Sequence, residues 1–143
     1  MAASSSATTV WNGGLADGSG VTTPASGAFA ATDVSWASRT KRADGETSPE
    51  ELLAAAHASC YCMALSHELG EAGTPPQRLE ATATIDFVAG EGVKSSQIVV
   101  SGQVAGIDQD AFAAAAAAAG EGCPISGALK GNVEITAQAT LDA

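Results

Sequence analysis

A chain of 143 residues that is 45% hydrophobic and 15% charged is long and apolar enough to bury a core, which argues against disorder. Its formal net charge of −10, with only six basic residues, argues against nucleic acid or an anionic membrane surface as partner, because no row of phosphates could be neutralised. The charged fraction lies below the roughly 25% usual for globular chains, which predicts that part of the surface is covered by a second copy.

In chain order, residues 1–8 are Ala, Ser and Thr after the initial Met and are expected to be loose. The opening lacks a basic patch followed by an apolar run, so no secretory signal is expected. Three cysteines, an odd number, then fit a reducing cytoplasm. Val10-Trp11 running into Asn12-Gly13-Gly14 predicts a strand and turn. Leu15 to Gly27 reads as a hairpin connection with a short strand. Thr32 to Ser38 alternates and reads as a third strand, completing an antiparallel meander. Arg39 to Thr47 is expected to be a polar loop. Arg39, Lys41 and Arg42 in it form the one local positive centre of the chain.

The stretch Ser48 to Gly70 reads as the central helix. Ser48 and Glu51 form a Ser-x-x-Glu capping box, Pro49 suits the first helical position and Gly70 the left-handed end. No Asp, Glu, Lys or Arg stands between Glu51 and Glu68. A helix apolar all round is a buried helix, and this one is shorter than the roughly 20 residues that span a bilayer. Leu79 to Val88 and Gln97 to Val104 alternate and predict a hairpin. Asp108 caps a second helix that holds the seven alanines Ala113 to Ala119 and ends at Gly120. Cys123-Pro124 opens a short helix closed by Lys130-Gly131, and Val133 to Leu141 is a last strand. No repeat or linker is visible. The expectation is one α+β domain over 1–143, with antiparallel strands around a long buried helix.

The chemistry concentrates on the cysteines. On a helix of about 100° per residue, His57 and Met63 share the face of Cys60. A Cys/His pair on one face could be nucleophile and base, or two metal ligands, but no further ligands stand at suitable spacing. A structural His57 is the simpler reading. Cys62 lies about 200° round from Cys60 and is read as packing. Cys123 sits where free N–H groups of a helix start favour a thiolate. Cys60 and Cys123 are thus either a redox pair or two buried thiols.

Glu50 to Gly73 (EELLAAAHASCYCMALSHELGEAG) and Ala119 to Lys130 (AGEGCPISGALK) closely resemble the two cysteine motifs of the OsmC/Ohr family of thiol-dependent hydroperoxide reductases. Trp11 to Gly14 and Thr22 to Gly27 also match, so the resemblance covers nearly the whole chain from about residue 8. It implies a peroxidase that reduces organic hydroperoxides, and in some members hydrogen peroxide, to alcohol and water without a cofactor or metal. Cys60 would be the peroxidatic nucleophile and Cys123 would resolve its sulfenic acid into a disulfide. Glu50 and an arginine would activate the thiolate. The early glycine-rich loop, Gly13 to Asp17, holds no arginine, whereas Arg39 matches the position used in the OsmC branch; Arg42, just beyond it, is the other candidate. His57 also looks like that branch. A dithiol reductant, of lipoyl type, is what the family suggests. Leu52, Leu53 and Met63 would suit an alkyl or lipid-like peroxide.

Glu50 and Cys60 are ten residues apart, which is about 15 Å along one straight helix and roughly 80° round. Serving one thiolate together therefore requires Glu50 of a second subunit, which predicts a homodimer. The family's intertwined dimers agree with this. The alternative function is a non-enzymatic redox sensor built on the same cysteine pair.

Overall fold

The computed structural model describes residues 1–42 and 45–143. Positions 43–44, part of the expected polar loop, lie outside the described residues. The chain forms two compact units, Met1–Leu52 and Leu53–Ala143.

In the first unit, β1 (Ala7–Asn12), β2 (Ser19–Pro24) and β3 (Thr32–Val34) form an antiparallel sheet in that order, the expected meander. The first strand begins at Ala7, so the last two residues of the stretch expected to be loose pair across the sheet with Pro24 and Thr23. The third strand is shorter than its alternation predicted. After Val34 the chain enters α1 (Trp36–Lys41), which also takes the start of the expected loop. The cause is local. The Ser35 hydroxyl accepts the Ser38 N–H and the Ser38 hydroxyl accepts the Ser35 N–H, a reciprocal capping box that starts a helix where alternation suggested a strand.

Helix α2 spans Pro49–Glu71. Ser48 Oγ accepts the Glu51 N–H at 3.0 Å, as a cap should, but the Glu51 carboxylate takes the Thr47 hydroxyl at 2.7 Å instead of closing the box. Gly70 stays helical. The left-handed residue is Gly73, with φ of 80°. Thr74 N–H reaches Leu69 O and Gly73 N–H reaches Gly70 O, the paired bonds of a Schellman end.

In the second unit, β4 (Arg78–Val88) and β5 (Gly92–Gln103) form the expected hairpin, with a bulge at Asp86/Phe87. Helices α3 (Gln109–Gly122) and α4 (Pro124–Leu129) follow, then β6 (Glu134–Leu141). The α+β class holds, but β6 pairs with β5 in parallel, where antiparallel strands were expected. The α3–α4 crossover carries the chain back to the same end of the sheet, which only a long connection allows.

Ser96, Ile98, Val100 and Gly102 of β5 alternate inward. His57, Tyr61, Leu65 and Leu69 make the buried stripe of α2, four residues apart, and the last three pack with Phe112, Ala116 and Ala119 of α3. Gly102 is required here: a Cβ would stand 2.6 Å from the Phe112 ring and 2.9 Å from Leu79. The other flank of α2 remains open, with Ala55, Ser59 and Met63 exposed, Met63 by 72%. In the single chain this apolar helix is therefore buried on one stripe rather than all round.

Candidate active site

Each unit holds one half of the expected chemistry. In the first, the last turn of α1 presents Arg39 and the first turn of α2 presents Glu50. Arg39 Nε donates to Glu50 Oε1 at 2.8 Å, and Nη2 lies 2.8 Å from the same oxygen. The Glu50 side chain is 1% exposed and that of Arg39 32%, so the carboxylate is dry and the guanidinium reaches solvent. Glu50 Oε2 is buried without a hydrogen-bond partner among the described residues. The Trp36 ring centroid lies 5.9 Å from the Arg39 guanidinium carbon, within cation–π range. Arg42 is drawn elsewhere, its Nη1 donating to Ser48 Oγ at 2.8 Å. Of the two candidate arginines, Arg39 is the one paired with Glu50. Beside Arg39 opens a cavity of about 330 Å³ walled by Trp11, Leu15, Val34, Trp36 and Leu52. Leu52, expected to face an apolar ligand, lines it.

In the second unit, the middle of α2 carries Cys60 and the α3–α4 junction carries Cys123. Cys123 ends α3 through its N–H to Ala119 O at 2.8 Å and is the N-cap of α4, with Pro124 at the first position, as the sequence predicted. The two sulfurs are 3.2 Å apart and both thiols are free. Cys123 is 1% exposed and Cys60 half-buried. A disulfide needs the sulfurs at about 2 Å, so roughly 1 Å of approach separates the two states.

Burial pushes the Cys60 thiol up, and the adjoining Cys123 sulfur adds to this against the Ile125 N–H. Burial also acts to raise Cys123, but the Ser126 hydroxyl and N–H, the Cys60 thiol and the Ile125 N–H outweigh it and hold Cys123 below the ordinary thiol value. Within this unit the more acidic sulfur is thus Cys123, and the Ile125 N–H is the group that favours a Cys60 thiolate. The second unit by itself does not give Cys60 the lowered pKa that a peroxidatic thiol requires. Cys62 is half-buried, and burial raises its thiol too, opposed by a backbone bond at Ala81.

His57 is fully buried, with Nδ1 2.6 Å from Ser96 Oγ and Nε2 2.7 Å from Ser126 Oγ. Both nitrogens are taken, which agrees with the structural reading over base or metal ligand. The two serines went unnoticed in the sequence. Ser96 lies among polar strand residues, and Ser126 was seen only as part of the second cysteine motif.

The family model for OsmC-like protein matches residues 42–138. The chain is 35% identical over 131 residues to peroxiredoxin OsmC of Escherichia coli (strain K12), covering 90% of this chain and 91% of that protein. Among solved structures, the organic hydroperoxide resistance protein OhrB of Bacillus subtilis is 25% identical with a TM-score of 0.65, covering 94% of this chain and 98% of that one. The OsmC-like protein of Mycoplasma pneumoniae, 17% identical, shares the fold across 100% of both chains with a TM-score of 0.75. Two separated cysteine motifs, their sulfurs in contact, thus stand in a sequence that matches this family over most of its length, and the chain belongs to the OsmC family.

Proposed function

We propose that this chain is a peroxidase that reduces organic hydroperoxides through a Cys60 sulfenic acid and a Cys60–Cys123 disulfide. The observation that carries the reading is the 3.2 Å separation of the two motif sulfurs. The Cys60 thiolate attacks the distal peroxide oxygen; the S–O bond forms, the O–O bond breaks, and the alkoxide takes a proton to leave as alcohol. The Cys123 thiolate then attacks the sulfenic sulfur. The S–S bond forms, and hydroxide departs and is protonated to water. A dithiol reductant returns two electrons and two protons. Closing the disulfide early protects Cys60 from over-oxidation.

Arg39 and Glu50 activate Cys60 in this scheme. Arg39 offers a planar fork of donors to a thiolate and to peroxide oxygens, and Glu50 orients it. Cys60 needs such a cation, because burial opposes its ionisation. The pair comes from a second copy in a homodimer. The open apolar flank of α2 at Met63 and the spare buried oxygen of Glu50 support that assembly. The apolar cavity beside Arg39 suits an alkyl substrate better than a hydrated one. The family match crosses the boundary between the two units, which supports reading 1–143 as one domain. Among the described residues no helix is long and apolar enough to cross a membrane. The reducing chemistry of free thiols suits the cytoplasm.

The test is consumption of cumene hydroperoxide and of hydrogen peroxide with a dithiol reductant. Cys60→Ser should abolish turnover, and Cys123→Ser should allow one turnover followed by over-oxidation. Continued consumption by Cys60→Ser would end this mechanism. Sedimentation at micromolar concentration should show a dimer; a monomer would remove the shared site.

A further inference from the structure

We propose that His57 is a positioning residue for Cys123, holding the Ser126 hydroxyl turned toward the Cys123 sulfur. The proposal deepens the peroxidase reading, on which Cys123 resolves the sulfenic acid. Four side chains form a line through the second unit: Ser96 on β5, His57 on α2, Ser126 in α4 and Cys123 at its cap. The ring of His57 lies 2.6 Å from Ser96 Oγ and 2.7 Å from Ser126 Oγ. All four are buried, with Ser96 and His57 at 0%, Cys123 at 1% and Ser126 at 4% exposure. The Ser126 N–H points at Cys123 Sγ across 3.5 Å, and the Ser126 hydroxyl is among the groups that favour a Cys123 thiolate.

The direction of the line follows from counting protons. Burial lowers the His57 pKa, so the ring is neutral and carries one N–H. With that proton on Nε2, the ring donates to Ser126 Oγ. The Ser126 hydroxyl proton is then free for the sulfur, and Ser96 donates to Nδ1. In the other tautomer Ser126 must donate to Nε2, and its proton turns away from Cys123. A thiolate at one end of the line selects the first tautomer, because it is the strongest acceptor there. The other groups facing Cys123 are the Cys60 thiol and Tyr61 from α2 and the Ile125 N–H from α4. The Tyr61 hydroxyl is committed to Ala116 O at 2.7 Å. The Ser126 hydroxyl is therefore the donor whose aim a neighbouring side chain controls. His57 touches neither sulfur directly in this arrangement; it acts through Ser126 on the thiolate share of Cys123, and hence on the rate of disulfide closure.

The test titrates Cys123 alone, in full-length protein with Cys60→Ser and Cys62→Ser, by thiolate absorbance and by iodoacetamide alkylation against pH. His57→Leu and Ser126→Ala should each leave about tenfold less thiolate at neutral pH, a one-unit rise in half-ionisation. His57→Gln, which keeps a donor, and Ser126→Thr, which keeps a hydroxyl, should stay near the parent. A His57→Leu protein that melts earlier but titrates as the parent would overturn the proposal, reducing His57 to a core residue. If His57→Leu does not fold, the small change Ser126→Ala decides alone, and an unmoved titration with it is equally fatal. No peroxide enters this titration, so its failure leaves the peroxidase reading intact. Peroxide consumption by Cys60→Ser would end that reading without touching the titration.

Discussion

Replacing Arg39 by Met removes the cation and keeps an unbranched apolar stem beside Trp36. The Glu50 carboxylate, 1% exposed, then loses the partner of Oε1, while Oε2 already lacks one. Breaking a buried pair from one side costs about 3–5 kcal/mol; because 32% of the Arg39 side chain is exposed, water already screens the pair and the expected loss is at the low end, about 3 kcal/mol. With a urea m-value of about 2 kcal/mol/M, the unfolding midpoint should fall by about 1.5 M. The double variant Arg39→Met/Glu50→Met leaves no charge stranded and should be more stable than Arg39→Met alone, since an ion pair replaced by apolar groups of similar volume is often nearly neutral. The assay is urea unfolding of the parent, both single variants and the double at one fixed protomer concentration. Single effects that add to the double within about 0.5 kcal/mol would refute the reasoning, because they would show that the two groups do not interact.

Other expectations follow from the second unit. Tyr61 is the sole tyrosine, and burial, with the Cys123 and Cys62 sulfurs nearby, pushes its phenol up to about 12. Tyrosinate absorbance should reach half its amplitude near that pH, against about 10 for a free phenol. Since the unfolded phenol ionises first, the folded state holds the extra proton between those values and stability should fall as pH rises through them. Gly102→Ala drives a Cβ into the Phe112 ring and should cost about 1–3 kcal/mol, lowering the thermal midpoint by several degrees. Asp108→Ala removes the acceptor of the Ala111 N–H at the start of α3 and should cost about 1 kcal/mol, with Asp108→Ser restoring most of it in the same melt.

Much of the fold was legible because its signals are local. Asp108, Cys123-Pro124 and the alternation of β4 act on neighbours within a few positions, and the elements stand where those signals put them. Several local readings went astray, among them the expected helix end at Gly120, since α3 runs on to Gly122; two show the cause. Thr32 to Ser38 alternates, but Ser35 and Ser38 cap each other, and a reciprocal cap overrides a short alternating pattern. Gly70 looked like a stop, yet a glycine ends a helix only where the chain turns left-handed, which happens at Gly73. The parallel pairing of β6 was not legible, because strand direction depends on where a crossover lands.

The candidate site divides in the same way. By itself the sequence determined which residues could carry the chemistry: two cysteines in separate motifs, a glutamate in a helix's first turn and an arginine ahead of it. For the cysteines those assignments depend on residue type and position in a helix, and for Glu50 and Arg39 on the resemblance of their motifs to the OsmC/Ohr family. Tertiary structure decided which of them meet. It brought sulfurs 63 positions apart to 3.2 Å, paired Glu50 with Arg39 and sent Arg42 to Ser48. It also closed His57 between serines 39 positions on and 69 positions on, in β5 and α4. The physical reason is that a pKa, a hydrogen bond and a bond-forming distance are set by whatever packing brings close, and a linear pattern holds no record of that.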